Sequence, residues 1–267
     1  MAANLGAAQE LNFIAKETGS RTMIGLQGQV SPIALKLKSL IEQEHRIGKV
    51  LSSSVLAFGG TRTRDSFIEG LKYFTRKEVG GNMVTIGFGH MIDYVGLVLG
   101  ELSSFTSQLS IQRPQVDIKG SNGEVMETVP TDVADHIMLQ GILTSGAPLS
   151  VIFRRGPAFK DDPSLTWLIH GEKGEIKVTS AAVAMQASDD ESNIMIHDFE
   201  NDAVEVIQWD RPFQDLPGRS RNVAGLYEAF ADGDKGKYRD FEHAVTRHAQ
   251  IDEVFRSSEE ERKGEYI

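Results

Sequence analysis

Hydrophobic positions along the chain follow two periods, about 3.6 residues and then 2, and the change falls near residue 100. Leu5, Ala8, Leu11 and Ala15 recur three or four apart and predict a helix over about 4–18. A short strand, Thr22–Leu26, follows, then a helix opened by Ser31 and Pro32 that runs to about Gln43, with proline at the first helical position. Residues 49–58 read as a strand, and 59–81 as a polar connection of a length that is uncommon without function. Met83, Ile86, His90, Asp93 or Tyr94, and Leu97 share one face of a helix over 83–99, which Gly100 ends. From Leu102 the segments SFTSQLSIQ, HIMLQGIL, PLSVIFRR, LTWLIHG and EIKVTS alternate as strands, with TSGA and EKGE as turns. Residues 190–217 are acidic and proline-punctuated, a surface excursion around the strand AVEVIQW, and helices over about 221–232 and 238–257 finish the chain. The pattern predicts an α+β fold, a large and mostly antiparallel open-faced sheet with helices on one face. A remnant of an α/β layer over 1–48 precedes the main domain over 49–267.

Composition narrows the function classes. With 267 residues, 40% hydrophobic and 25% charged, the chain can bury a substantial core. A formal charge of -10 argues against nucleic acid, whose phosphates are held by clustered Lys and Arg. The sequence has no cysteine, hence no disulfide framework, thiolate nucleophile or zinc-cysteine cluster. The first residues lack the basic and apolar regions of a signal peptide, and no apolar run approaches the roughly 20 residues that span a bilayer. The expectation is a cytoplasmic protein that acts on a small molecule.

The segment GGNMVTIGFGHMIDYV, Gly80–Val95, carries the strongest signal. As a strand, glycine turn and helix it would be a dinucleotide fingerprint, but Ile92 stands where the third glycine belongs and no acidic residue follows roughly 20 positions on. Written GGxMxxxGxGHxxD, it instead resembles the active-site helix of the glucose-fructose oxidoreductase, inositol dehydrogenase and MocA superfamily, with His90 on the catalytic histidine. Ile86 replaces the aspartate that commonly lies four residues before that histidine. TIxxGH, as in Thr85–His90, is similar to the fungal branch that includes the galactose-pathway corepressor. The resemblance extends through RTMIGLQGQVSP at 21–32, IGKVLSS at 47–53, TDVADHIMLQGILTSGAPLSVIFRRG at 131–156 and WLIHGEKGEIKVTS at 167–180. It implies that residues 1–48 correspond to the end of a Rossmann layer, while the glycine-rich loop and the catalytic lysine of a Glu-Lys-Pro motif have no matching position. No cofactor is therefore expected.

Candidate site residues follow from these two lines. A histidine's ordinary pKa near ~6.5 lets His90 exchange protons at neutral pH, and Asp93, one helical turn on, is placed to orient it. The competing reading is a hydrogen-bonded histidine in the interface between sheet and helix. In the resemblance the connection before the helix lies over the substrate pocket. Among its polar and charged residues, from Arg62 to Glu78, Lys72 and Tyr73 are candidates to meet an anionic or phenolic group. Thr85, Ile86 and Tyr94 beside His90 are candidate substrate contacts, as are Asp135 and His136, which open a strand and point to opposite faces, so that at most one of them faces a given pocket. Metal binding has no support: His136, His170 and His197 are far apart, and His243 and His248 are five apart.

Three functions remain: a redox-neutral isomerase, cyclase or lyase with His90 as acid or base, a non-catalytic regulator, and an NAD(P)-dependent dehydrogenase represented by part of its length. The resemblance implies a specialised metabolite, a polyketide or terpenoid, as substrate for the first. It also implies a homodimer through the sheet, for which Ile137, Leu139, Val151 and Phe153 offer an apolar face.

Overall fold

In the computed structural model, residues 2–61, 63–185, 187 and 190–260 are described. Arg62 lies outside them. Helix α1, Leu5–Thr18, starts at Asn4, whose side chain accepts the Ala7 N–H, and stops at Gly19, which takes the left-handed conformation at φ 64° that a Cβ disfavours. The segment expected as a strand over 22–26 joins no sheet. Its Ile24 N–H donates to the Arg239 carbonyl and its Leu26 N–H to the Ile24 carbonyl, a tight turn centred on Gly25, so it runs as a single strap without a neighbouring strand. Helix α2, Pro32–Glu42, buries Ile33, Ala34, Leu37 and Leu40 along one stripe.

The next elements are β1 (Val50–Gly59), β2 (Ser66–Ile68), a π-helical turn (Met83–Phe88) that leads into α3 (Gly89–Leu99), and the strands β3 (Leu102–Ser110), β4 (Gln115–Lys119), β5 (Val125–Pro130), β6 (His136–Leu143), β7 (Pro148–Arg155), β8 (Leu165–Gly171), β9 (Gly174–Ser180), β10 (Ser192–Asp198) and β11 (Ala203–Ile207). Helices α4 (Gly218–Asp232) and α5 (Phe241–Glu260) end the described chain. The main sheet has eight strands in the order β11-β10-β9-β8-β1-β7-β6-β3. Only β1 and β7 run parallel within it, Val55 beside Val151. A second sheet of three strands, β2-β4-β5, is built from the polar connection and the stretch after β3. These strands, of three to six residues, were not in the sequence expectation, and β10 was likewise absent from it because acidic residues flank its inward Ile194 and Ile196.

The inward apolar positions of the sheet join residues of α2, α3, the π-turn and α5 in one core that includes Val55, Val151, Phe153, Trp167, Ile176 and Ile194. Truncating a large aliphatic side chain at such a site costs ~2–5 kcal/mol. The four residues expected to form a dimer face, Ile137, Leu139, Val151 and Phe153, point into this core and are at most 1% exposed. Strand parity puts their neighbours Met138, Ile142 and Ile152 on the outer face, at 37–42% exposure. Among the described residues no helix is long and apolar enough to cross a membrane.

Candidate functional site

Asn82 sets the position of the glycine-rich helix. Its side chain is fully buried and its Oδ1 accepts the Val84 and Thr85 N–H groups at 3.0 and 3.1 Å. Thr85 Oγ1 accepts the Asn82 N–H in return, closing a capping box, and donates to the Gly80 carbonyl. The π-turn then widens the helix by one residue per turn before α3 begins. Side chains after the turn therefore leave the face on which a uniform 3.6-residue period would place them.

His90 stands in the wall between two cavities. One, of about 180 Å³, is mostly apolar and is lined by Phe67, Phe74, Ile86, His90, Arg155 and Val183 among others. The second, of about 400 Å³, is lined by Gly80, Thr85, Ile86, His90 and His248. His90 Nδ1 is buried with no hydrogen-bond partner, unlike the hydrogen-bonded interface histidine that was the competing expectation. Burial holds the His90 pKa below its ordinary value, and the Asp93 charge offsets part of that shift. His248, 1% exposed, is lowered in the same way by burial, and its Nε2 has no partner. Both imidazoles are consequently neutral at pH 7.

Asp93 does not orient His90. Its carboxylate is buried on the other side of α3, where it accepts from Gln29 Nε2 at 2.8 Å, His243 Nε2 at 2.7 Å and Arg247 at 3.1 Å. Burial pushes its pKa up, but the hydrogen bond from His243, the Arg247 charge and the Gln29 bond outweigh it and hold the carboxyl below the usual range. Tyr94 is also removed from the substrate region. It is fully buried against Trp167, ring centroids 6.0 Å apart, and its hydroxyl has no hydrogen-bond partner.

Lys72 lines neither cavity, since its ammonium pairs with Glu127 at 2.6 Å on the exposed edge of the small sheet. Tyr73 is exposed and lies over Gly81, where a Cβ would come within 2.8 Å of its ring. Its neighbour Phe74 is the aromatic that reaches the smaller cavity. Thr85 and Ile86 do border the site, Ile86 on both sides of the wall. Asp135 and His136 were expected on opposite faces of a strand, but Asp135 precedes β6 and the two side chains meet, Nδ1 to Oδ1, at 3.1 Å. Asp135 also accepts the N–H groups of Gln112 and Arg113 at 2.8 and 3.0 Å.

Arg155, Phe67, Phe74 and His248 were not among the expected site residues. The face of Arg155 was legible: Leu149, Val151, Phe153 and Arg155 alternate along β7 and share one side of the sheet, which the structure buries. Arg155 is 4% exposed, and its guanidinium lies 5.1 Å from the centre of the Phe67 ring. Among the described residues no group of three or more His, Asp or Glu side chains is arranged to hold a metal ion.

Comparison with known proteins places this geometry in context. The family model described as "Gal80p, C-terminal domain" matches residues 32–180. Dehydrogenase aclE of Aspergillus oryzae is 27% identical over 264 residues, covering 97% of this chain and 68% of its own length. The galactose/lactose metabolism regulatory protein GAL80 of Saccharomyces cerevisiae is 32% identical over 186 residues, 68% of this chain, and the match spans only 42% of that regulator. The crystal structure of a super-repressor mutant of the same regulator, Gal80(S2), superposes with a TM-score of 0.83 at 26% identity, over 97% of this chain and 68% of that one.

Proposed function

This chain belongs to the Gal80p C-terminal-domain family of the glucose-fructose oxidoreductase, inositol dehydrogenase and MocA superfamily, and on that premise we propose that it is a small-molecule enzyme domain in which His90 transfers protons. The reaction is redox-neutral, an isomerisation, cyclisation or elimination on a specialised metabolite. One observation carries this reading: a neutral imidazole with an unpartnered, buried nitrogen forms the common wall of two cavities. Such a group takes a proton from a carbon or oxygen of the substrate and becomes imidazolium. Burial disfavours the imidazolium, so the proton returns to a different substrate atom and the histidine is restored. The His90 pKa below its ordinary value makes the rate constant above pH ~6.5 and falling on acidification below it.

Hydrogen exchange provides the test. In D2O without added nucleotide, the protein should speed deuterium uptake at the carbon beside the carbonyl of phenylpyruvate or acetophenone, and His90→Gln should return the rate to that of buffer. Turnover that requires NADH or NADPH would replace proton transfer with a dehydrogenase reading. That second reading is favoured by the alignment with aclE along 97% of the chain. Leu11, Phe13 and Ile14 also stand 44–63% exposed on α1, an apolar surface suited to a further layer. The likeness to GAL80 supports a third reading, regulatory ligand binding, which predicts that His90→Gln leaves function intact.

A further inference from the structure

The geometry of Arg155 points to the chemical class of the ligand: we propose that the cavity shared with His90 binds a carboxylate, held by Arg155, on a compact apolar body. This deepens the reading of the His90 cavities as a substrate site.

A buried cation normally has its hydrogen bonds filled by the protein. Even Arg154, half-buried on the outward side of β7, donates from Nη1 to the carbonyls of Arg155 and Pro157 at 3.4 and 3.1 Å. Arg155 departs from the rule. Its Nε and Nη2 are buried with no hydrogen-bond partner. Those two nitrogens form one edge of the guanidinium, and their N–H bonds run nearly parallel. Two oxygens of one carboxylate fit that fork.

The protein's own carboxylate does not take this edge. Asp135 Oδ2 stands 3.9 Å from Nη2, inside ion-pair range and beyond hydrogen-bond length. Its oxygens are held back by the N–H groups of Gln112 and Arg113 and by the His136 ring. Asp135 therefore offsets the charge of Arg155 at a distance and makes no hydrogen bond to its Nε or Nη2.

The rest of the cavity specifies the body of the ligand. Phe67, Phe74, Met83, Ile86 and Val183 give apolar walls around about 180 Å³. An apolar cavity of ~150 Å³ accommodates benzene, so a single ring or an equivalent aliphatic unit fits here. His90 and Ile86 close this cavity off from the larger one on the other side of the wall. A carboxylate on Arg155 thus fixes one end of the molecule and presents its nearby atoms to the imidazole.

Calorimetric titration of the full chain with phenylacetate and with phenylacetamide tests the assignment, because the pair share a shape and differ in charge. Phenylacetate should bind at least ~10-fold more tightly than the amide to the wild type. Arg155→Lys, which keeps the charge and loses the fork, should weaken phenylacetate about tenfold. Arg155→Met should abolish the preference for the acid. If Arg155→Met fails to fold by circular dichroism, the ¹⁵N–¹H signal of the wild-type arginine Nε decides: it should move with phenylacetate and not with the amide. Equal binding of acid and amide, or an acid preference kept in folded Arg155→Met, would overturn the proposal. Binding is read without turnover, so carboxylate recognition with no His90-dependent deuterium uptake would leave Arg155 its role and remove the catalytic reading alone.

Discussion

The carboxylate of Asp93 lies 2.7 Å from Nε2 of His243, a residue 150 positions away on α5, and forms no hydrogen bond to His90 one turn earlier on its own helix. The same carboxylate meets Arg247, which is 1% exposed and also bonded to Glu101. A buried ionic node therefore joins α3 to α5, and the proton-transfer residue stands apart from it.

Removing one member of that node should be costly. Asp93→Ala leaves the buried Arg247 cation with Glu101 as its charged partner, beside the Gln250 side-chain carbonyl, and should destabilise the fold by ~3–5 kcal/mol in urea titrations. If Asp93 acted chiefly on His90, the variant would lose turnover at nearly unchanged stability.

Acid should weaken the fold in two steps. His90 and His248 are held below their ordinary pKa by burial, so the unfolded chain binds their protons more readily than the folded one. Their contribution is complete above pH ~6.5 and is lost as pH falls through the lower folded values. Asp93 is depressed too, and its contribution, complete above ~3.9, disappears as pH falls further. Denaturation curves between pH 8 and 3 check this, and the double variant His90→Gln, His248→Gln should flatten the upper step. Stability that rises from pH 7 to 5 would contradict the assignment.

Tyr94 offers a prediction of opposite sign. Its buried hydroxyl has no partner, and burial pushes its pKa up. Tyr94→Phe keeps the ring against Trp167 and removes an uncompensated polar group, so stability should stay level or rise by up to ~1 kcal/mol. Deuterium uptake should not change, as expected for a residue outside both cavities.

Asn82→Ala removes the side chain that caps the glycine-rich helix and should cost ~1–2 kcal/mol of stability. Thr85 and His90 ride on that cap, so any His90-dependent rate should fall with it. A variant of wild-type stability with full activity would show that the cap is dispensable.

The main sheet and most of the helices were legible in the sequence because each strand has one buried face and each helix one buried stripe, which write periods of 2 and about 3.6 residues. Resemblance singled out His90. Parity along β7 put Arg155 on the face of Val151 and Phe153, the face expected to meet a second subunit, and the structure turned that face inward. Local chemistry determined these features, and they needed no knowledge of distant neighbours.

Tertiary structure decided the rest. The π-turn shifted the phase of the glycine-rich helix, which sent Asp93 toward α5 and Tyr94 toward Trp167 and left His90 between the cavities. The strap at 22–26 lost its strand character for want of a neighbour, whereas β2 pairs with β4 across a long separation, Ser66 beside Asp117, and β4 and β5 close a local hairpin. Whether Arg155 finds a partner depends on how Gln112, Arg113 and His136 hold Asp135, a balance of hydrogen bonds among residues up to 43 positions apart. Periodicity records which face of an element is buried. It carries no record of which side chain from elsewhere will meet that face, because that is set by packing in three dimensions.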